Sequence, residues 1–93
     1  MMQIHWTHKA RQDRLKILQY IAENNLDAAE RMDQRFKDAT DSLLSFPYKG
    51  RIGRVNGTFE LVIHQNYILV YVVNGKEISI SALIHTARKY PPK

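Results

Sequence analysis

The 93-residue sequence predicts an α+β domain, in which a helical hairpin packs on one face of a small antiparallel sheet in the order β-α-α-β-β-β. Apolar residues recur at helical spacing through the first half of the chain and at strand spacing through the second. The charge changes at the same place. Residues 1–47 carry seven basic and seven acidic side chains, whereas residues 48–93 carry seven basic and only two acidic ones. The whole net charge of +5 therefore belongs to the predicted sheet region.

The first half of the chain predicts a strand followed by a helix. Met2–Trp6 alternates apolar and polar residues, as a half-buried strand does. Thr7 is a suitable N-cap for a helix over Ala10–Glu23, and the pair Asn24-Asn25 interrupts that helix.

A second helix follows, because Asp27 and Glu30 have the spacing of a capping box and Pro47 would end the element. Its apolar residues follow one another at steps of four and three, which places them on one face. We expect this stripe, together with Trp6, to enter the core. The stripe consists of Met32, Phe36, Ala39, Leu43 and Phe46.

The second half predicts three strands. Phe59–His64 is the first, Gln65-Asn66 is a candidate turn, and the nearly continuous apolar run Tyr67–Val73 is typical of a central strand buried on both faces. Asn74-Gly75 then predicts a hairpin with a type I′ turn.

Glu77–His85 is the last predicted strand, and its residues alternate between the two faces of the sheet. Simple alternation places Ile84 on the same face as Ile78 and Ile80. His85 is then expected on the opposite, less apolar face.

The composition fits a single domain over residues 1–93. The absence of cysteine excludes disulfides and thiolate metal ligands, which fits a reducing compartment. No apolar segment has the length of a signal-peptide core or a membrane span, so we expect a cytoplasmic protein without a membrane partner. The positive net charge favours nucleic acid or an acidic protein as partner.

Basic residues near glycines or an aromatic ring are the candidate binding residues. Lys49, Arg51 and Arg54 lie among glycines, which let a partner approach the backbone, and arginine binds phosphate or carboxylate groups through two hydrogen bonds. Arg88 and Lys89 precede Tyr90, a combination suited to phosphate contact and base stacking. The alternatives are a solvated loop between helix and strand, and a tyrosine that only holds the tail on the sheet.

The residue types for RNA cleavage without a metal are also present. That reaction needs a general base, a general acid and cations beside the phosphate. His64, His85, Arg88 and Tyr90 supply these types. The alternative is that His64 belongs to a turn and that His85 is a strand-end histidine with satisfied hydrogen bonds.

No metal or cofactor is expected from the sequence. His5 and His8 are three residues apart but straddle the predicted junction between strand and helix, with no cysteine available to complete a site. No P-loop or dinucleotide-binding fingerprint is present.

Several motifs, in the same order and spacing, resemble the RelE/ParE superfamily of bacterial toxins from type II toxin–antitoxin modules. They span nearly the whole chain. The motifs are the helical segment YIAENNLDAAE, the loop and strand GR-GRV-GT-EL (Gly50 to Leu61), the strand NYILVY and the terminal IHTARKYP.

The resemblance implies one of two activities. RelE-like toxins cut mRNA in the ribosomal A site without a metal, whereas ParE-like toxins inhibit DNA gyrase. The amino-acid sequences of these motifs are more similar to the ParE-like branch. RelE-like toxins usually carry a phosphate-stabilising arginine in the strand where this chain has Ile68, and the family often has arginine where this chain has Phe59.

We therefore interpret the chain as a ParE-like toxin that acts on DNA gyrase. The resemblance also implies a cognate antitoxin with an acidic or amphipathic segment that covers the helical hairpin and the sheet rim. The first alternative is a ribosome-dependent mRNA endoribonuclease that uses His64, His85, Arg88 and Tyr90. The second is a relative that still binds antitoxin but has lost toxicity, which the presence of Phe59 suggests.

Overall fold

A mixed five-stranded sheet with a helical hairpin on one face forms the described part of the protein. The computed structural model describes residues 1–87 and Tyr90, so Arg88 and Lys89 lie outside the described residues. The elements are β1 (Gln3–Trp6), α1 (His8–Asn24), α2 (Leu26–Ser45), β2 (Arg51–Ile52), β3 (Phe59–His64), β4 (Tyr67–Asn74) and β5 (Glu77–His85).

The predicted fold class is confirmed, with two additions to the sheet. Its strand order is β1-β5-β4-β3-β2, so the first strand lies beside the last. β1 pairs with β5 in parallel, which makes the sheet mixed, while the other pairs are antiparallel. The short strand β2 forms within the segment that carries Lys49, Arg51 and Arg54, which the sequence did not predict as a strand.

A side-chain cap begins each helix of the hairpin. The Thr7 hydroxyl accepts a hydrogen bond from the Ala10 amide at 3.1 Å, so the predicted cap of α1 is confirmed. The predicted capping box at Asp27 is wrong. The N-cap of α2 is Asn25, whose side-chain oxygen accepts from the Ala28 amide at 3.0 Å, and Asp27 lies within the first turn. Asn25 also ends α1, so one residue serves both helices.

The core lies between the helical hairpin and one face of the sheet. Phe36 and Leu43 of α2 are fully buried against Tyr71 and Ile80 of the sheet. Met32 and Trp6 pack at the margin of this core, as expected. Phe46 was expected in this core but lies outside it, with 66% of its surface exposed. It is the C-cap of α2, where the helix ends.

An ion pair joins the helices beside the core. Arg14 of α1 approaches the Asp33 carboxylate of α2 at 2.7 Å, and its guanidinium carbon lies 4.7 Å from the centre of the Trp6 ring. The arginine therefore connects both helices to β1.

A β-bulge in β5 reverses the predicted alternation at the end of the sheet. Tyr71 pairs with Ile80 and Val70 with Ala82, which leaves Ser81 without a partner residue in the register. An extra residue shifts all later side chains to the other face. The prediction for Ile84 and His85 was therefore wrong. Ile84 packs on the face away from the helices, and His85 lies on the helix side.

The two hairpin turns differ in how well the sequence predicts them. Gln65-Asn66 forms the turn between β3 and β4, as predicted. The second loop is Gly75-Lys76 rather than Asn74-Gly75, because Asn74 still pairs with Glu77. Gly75 has a φ of +62°, and no described residue other than glycine has a positive φ. This arrangement fits a type II′ turn, which needs glycine at its first central position, rather than type I′.

Neither described helix is both long enough and apolar enough to cross a membrane.

Replacing Thr7 with alanine should lower the free energy of unfolding by about 1–2 kcal/mol, because the α1 cap is lost. The same hydroxyl donates to the Ile80 carbonyl at 2.9 Å, so the link between helix and sheet is lost with it. Urea unfolding measures the change. Thr7→Ser, which keeps the hydroxyl, is the control, and equal destabilisation by both variants would show that the hydroxyl contributes nothing.

Candidate functional site

Among the described residues, Glu60 is the only charged residue in the buried class. It lies in β3, where it pairs with Arg51 of β2 on one side and Val70 of β4 on the other. Its side chain is 1% exposed. A carboxylate in such a position is costly unless charged hydrogen-bond donors surround it.

Two arginines surround the Glu60 carboxylate. Arg51 donates to Oε1 from Nη2 at 3.0 Å and from Nε at 3.3 Å. Arg54 donates to Oε2 from its backbone amide at 2.9 Å and from Nε at 3.2 Å, and to Oε1 from Nη2 at 3.3 Å. The buried acid thus connects β3 to β2 and to the start of the loop between these two strands.

The loop conformation brings the Arg54 amide to the carboxylate. The Gly53 amide donates to the Thr58 carbonyl at 2.8 Å, and the Thr58 hydroxyl donates to the Val55 carbonyl at 2.7 Å. Gly57 completes the return with a φ of +85°, which residues with a side chain rarely adopt. The glycines of the motif therefore serve the loop geometry itself.

A second contact fixes where the loop begins. The Gly50 amide donates to the hydroxyl of the buried Tyr71 at 3.0 Å. A Cβ atom at Gly50 would lie 2.8 Å from the Glu60 carbonyl oxygen and 2.7 Å from the Tyr71 hydroxyl. Only glycine lets the chain pass this close to β3 and β4.

The environment of Glu60 lowers the pKa of its carboxyl below the ordinary value of 4.5. Burial is the largest single influence and acts in the opposite direction, since it favours the neutral acid. The hydrogen bonds from the Arg54 amide and from the two guanidinium groups together outweigh it. At neutral pH the Glu60 carboxylate is therefore ionised and accepts hydrogen bonds, but it is a weak base.

The face of the sheet away from the helices is apolar next to this cluster. Ile68, Val70, Ala82 and Ile84 form a buried group on that face, and Tyr90 packs against it. The Arg54 guanidinium carbon lies 5.4 Å from the centre of the Tyr90 ring. Tyr90 thus covers both the apolar group and one arginine of the Glu60 cluster, which consists of Glu60, Arg51 and Arg54.

The residues of the nuclease hypothesis do not all lie on one face. His64 and His85 are both register partners of Tyr67, so they flank it on neighbouring strands. His85 lies on the helix side, whereas Tyr90 packs on the opposite face. Within the described residues, His64 Nδ1 is buried without a hydrogen-bond partner, and His85 Nδ1 accepts from the Ala87 amide at 3.0 Å.

The basic residues of the binding hypothesis are divided as well. Arg51 and Arg54 join at Glu60, and their side chains remain 57% and 46% exposed, so their outer faces are open to a partner. Lys49 donates to the Ser42 hydroxyl at 3.2 Å beside a shallow hollow between α2 and β3. Arg88 and Lys89 belong to the part of the chain that is not described. Residues 1–87 and Tyr90 contain no cluster of three or more potential metal ligands.

Comparison with known proteins decides the family. The profile described as the ParE toxin of the type II toxin–antitoxin system parDE matches residues 4–90. The chain belongs to the ParE toxin family. The toxin RelE2 of Caulobacter vibrioides is a similar relative of this ParE family member, with 36% identity over 88 residues that cover 95% of this chain and 99% of the relative.

Solved structures agree with this placement. A chain from the chromosomal ParDE toxin–antitoxin system of P. aeruginosa matches with a TM-score of 0.79 and 26% identity, covering 91% of this chain and 96% of that one. YafQ from E. coli strain BL21(DE3) matches with a TM-score of 0.66 and 16% identity, over 94% and 96% of the two chains, which shows a shared fold only. The protein is thus a type II toxin of the RelE/ParE superfamily.

Sequence reasoning did not identify Glu60 as the centre of the arginine cluster. One signal for it was available. Glu60 is one of only two acids after residue 47, and it alternates with Phe59 and Leu61 in a strand. An acid at such a position needs a cationic partner, and Arg51 and Arg54 were the nearest candidates in the sequence.

Glu60→Gln should destabilise the protein by about 1–3 kcal/mol at neutral pH, because charge-assisted hydrogen bonds to both arginines are lost. A depressed pKa in the folded state contributes stability above the unfolded-state pKa, and this contribution disappears as pH falls through the folded-state pKa. The wild type and the variant should therefore converge in unfolding free energy in acid, below the ordinary pKa of 4.5.

Denaturant unfolding across the acid range measures this convergence. Glu77→Gln, which neutralises an exposed acid, is the control and should behave like the wild type. A difference between wild type and Glu60→Gln that does not depend on pH would show that the ionised carboxylate is not what stabilises the loop.

Proposed function

We propose that this ParE family member arrests growth by inhibiting DNA gyrase and that a cognate antitoxin neutralises it in the cytoplasm. The observation that supports this function best is the pairing of Glu60 with two arginines beside an apolar face. The cluster offers positive charge for binding an acidic surface but no free base.

The Glu60 cluster is poorly suited to cleaving RNA. A general base works best when its pKa lies near the working pH, and that of Glu60 lies on the acid side of 4.5. The two arginines already donate to this carboxylate, so these N–H groups are not free to stabilise the transition state of a phosphate. Ile68 is 5% exposed among apolar neighbours, so its position supplies no cation at all.

The same cluster suits a protein partner. The exposed outer faces of Arg51 and Arg54 can donate to carboxylates, and the Glu60 pairing holds their inner faces in fixed positions. Fixed arginines lose less side-chain entropy on binding. An acidic surface of gyrase and an acidic segment of an antitoxin would both complement this charge, which explains how binding of one could exclude the other.

Two histidines flank Tyr67 on the neighbouring strands, and they favour a second candidate function. His64 and His85 are residue types that transfer protons at neutral pH, and each is a cross-strand neighbour of Tyr67. This arrangement supports the alternative of a ribosome-dependent mRNA endoribonuclease. Arg88 and Tyr90 are the other residues assigned to that reaction.

Expression of the toxin without antitoxin separates the candidates. Reporter-plasmid supercoiling, gyrase-linked DNA breaks and mRNA integrity are followed in the same culture after induction. We expect supercoiling loss and DNA breaks while mRNA stays intact. Rapid codon-associated mRNA cleavage would instead establish the nuclease. Normal growth with soluble, antitoxin-binding protein would indicate lost toxicity, and the apolar packing of Phe59 between Tyr48 and Tyr71 is consistent with that outcome.

The double variant His64→Ala/His85→Ala should still arrest growth and inhibit gyrase, because neither histidine belongs to the Glu60 cluster. Circular dichroism and thermal unfolding of the purified variant check that it folds. Loss of growth arrest in a variant that remains folded would contradict the gyrase proposal and favour the nuclease.

A further inference from the structure

A cleft of about 530 Å³ opens between α1 and the end of β5, on the helix side of the sheet and away from the Glu60 cluster. Tyr67 lies at its floor, and Lys16 and Tyr20 of α1 and His85 of β5 line its sides. We call it the Tyr67 cleft. Its volume is in the range of small-ligand sites.

Hydrogen-bond donors line the Tyr67 cleft without partners among the described residues. Tyr67 is 6% exposed and lines the cleft, and its hydroxyl forms no hydrogen bond with a described residue. By contrast, the buried hydroxyl of Tyr71 is bonded to the Gly50 amide. A polar group left unpartnered in a mostly buried residue needs an explanation, and a ligand is one.

The other polar groups of the Tyr67 cleft are donors as well. Lys16 carries a full positive charge and forms no ion pair within residues 1–87. His85 accepts from the Ala87 amide through Nδ1, so its neutral ring carries the proton on Nε2. Burial, and secondarily the proximity of Tyr20, raises the pKa of Tyr67, which keeps that hydroxyl protonated.

The single acid of the Tyr67 cleft limits the charge of a ligand. Asp13 Oδ2 accepts from the Leu83 amide at 3.1 Å and from Lys9 at 2.9 Å, so this oxygen is already engaged. Its negative charge opposes a doubly charged phosphate, since Lys16 is the one full cation lining the described cleft. A singly charged carboxylate suits one cation and several neutral donors.

The remaining wall is apolar. Ile17, Leu83 and Ala87 line the Tyr67 cleft together with the two tyrosine rings. They would cover an aliphatic or aromatic group but leave a polar one without partners.

We propose that the Tyr67 cleft binds a carboxylate carried on an apolar stem. Lys16 neutralises the charge, the hydroxyls of Tyr20 and Tyr67 donate to the oxygens, and the apolar wall covers the stem. The carboxylate can come from an acidic side chain of the antitoxin or from a free carboxylic acid. The site does not depend on gyrase being the target.

The probe for the test is 3-phenylpropionate, with its uncharged analogue 3-phenylpropanamide as the matched ligand control. Backbone amide NMR of the full chain should show saturable shifts at Leu83, His85 and Ala87 with a Kd on the order of 1 mM, as expected for a ligand of this size. The amide should bind about tenfold more weakly or not at all.

Two variants locate the probe. Lys16→Gln and Tyr67→Phe should each weaken binding by about fivefold or more, whereas Lys76→Gln, at the far turn of the sheet, should not. Equal binding of acid and amide, absence of saturation, or indifference to Lys16→Gln in a folded protein would overturn the proposal. Lys16 is exposed, so this variant tests the proposal even if Tyr67→Phe fails to fold.

Repeating the 3-phenylpropionate titration on the complex of this toxin with its antitoxin identifies the source of the carboxylate. Loss of probe binding in the complex, with recovery when the antitoxin's acidic residues are changed to amides, assigns the carboxylate to the antitoxin. Unchanged binding in the complex assigns it to a free acid. Both results retain the carboxylate site, and only the failures named above remove it.

Discussion

The buried carboxylate of Glu60 is the constraint that organises the arginine-bearing loop of this toxin. Folding places a negative charge between β2 and β4, and a charge in that position must be compensated. Arg51 of β2 and Arg54 at the start of the following loop supply the compensation. The strand β2, the tight turn before β3 and the Arg54 guanidinium beside Tyr90 all surround that pairing. The pairing holds the basic side chains of Arg51 and Arg54 in fixed positions at the surface, as the proposed binding of a protein target would require.

The sequence predicted the elements with a regular apolar pattern and missed the local features that interrupt the pattern. Helical periodicity and the apolar run of β4 specified both helices, the three long strands and the side of the core, because burial imposes those patterns directly. The bulge at Ser81 left no pattern, since one extra residue changes the register without changing the composition, and the face of His85 was mispredicted as a result. The cap of α2 was misplaced for a related reason. Asn25 and Asp27 are both acceptable caps, and the end of α1 decided between them.

The candidate site was predicted as a set of residue types but not as an arrangement. Charge asymmetry pointed to Arg51 and Arg54, and the loop motif together with the parDE toxin profile over residues 4–90 places the chain in its family. Pairing through Glu60 could not be read from charge alone, because it required knowing that position 60 faces away from the helices beside Val70. The histidines and Tyr90 looked equivalent in the sequence, yet the sheet lies between His85 and Tyr90. Separation by a sheet is a property of topology, which local patterns do not contain.

The ionisation of Glu60 tests this account most directly. Carbon-13 NMR of the labelled side-chain carboxyl across the acid range gives the pKa of this residue in the folded protein. The account predicts a midpoint below the ordinary 4.5, because the hydrogen bonds from Arg51 and Arg54 outweigh the cost of burial. A midpoint at or above 4.5 would mean that burial prevails and that the arginines do not hold the carboxylate. In that case neither the loop geometry nor the argument against a catalytic base at Glu60 would stand.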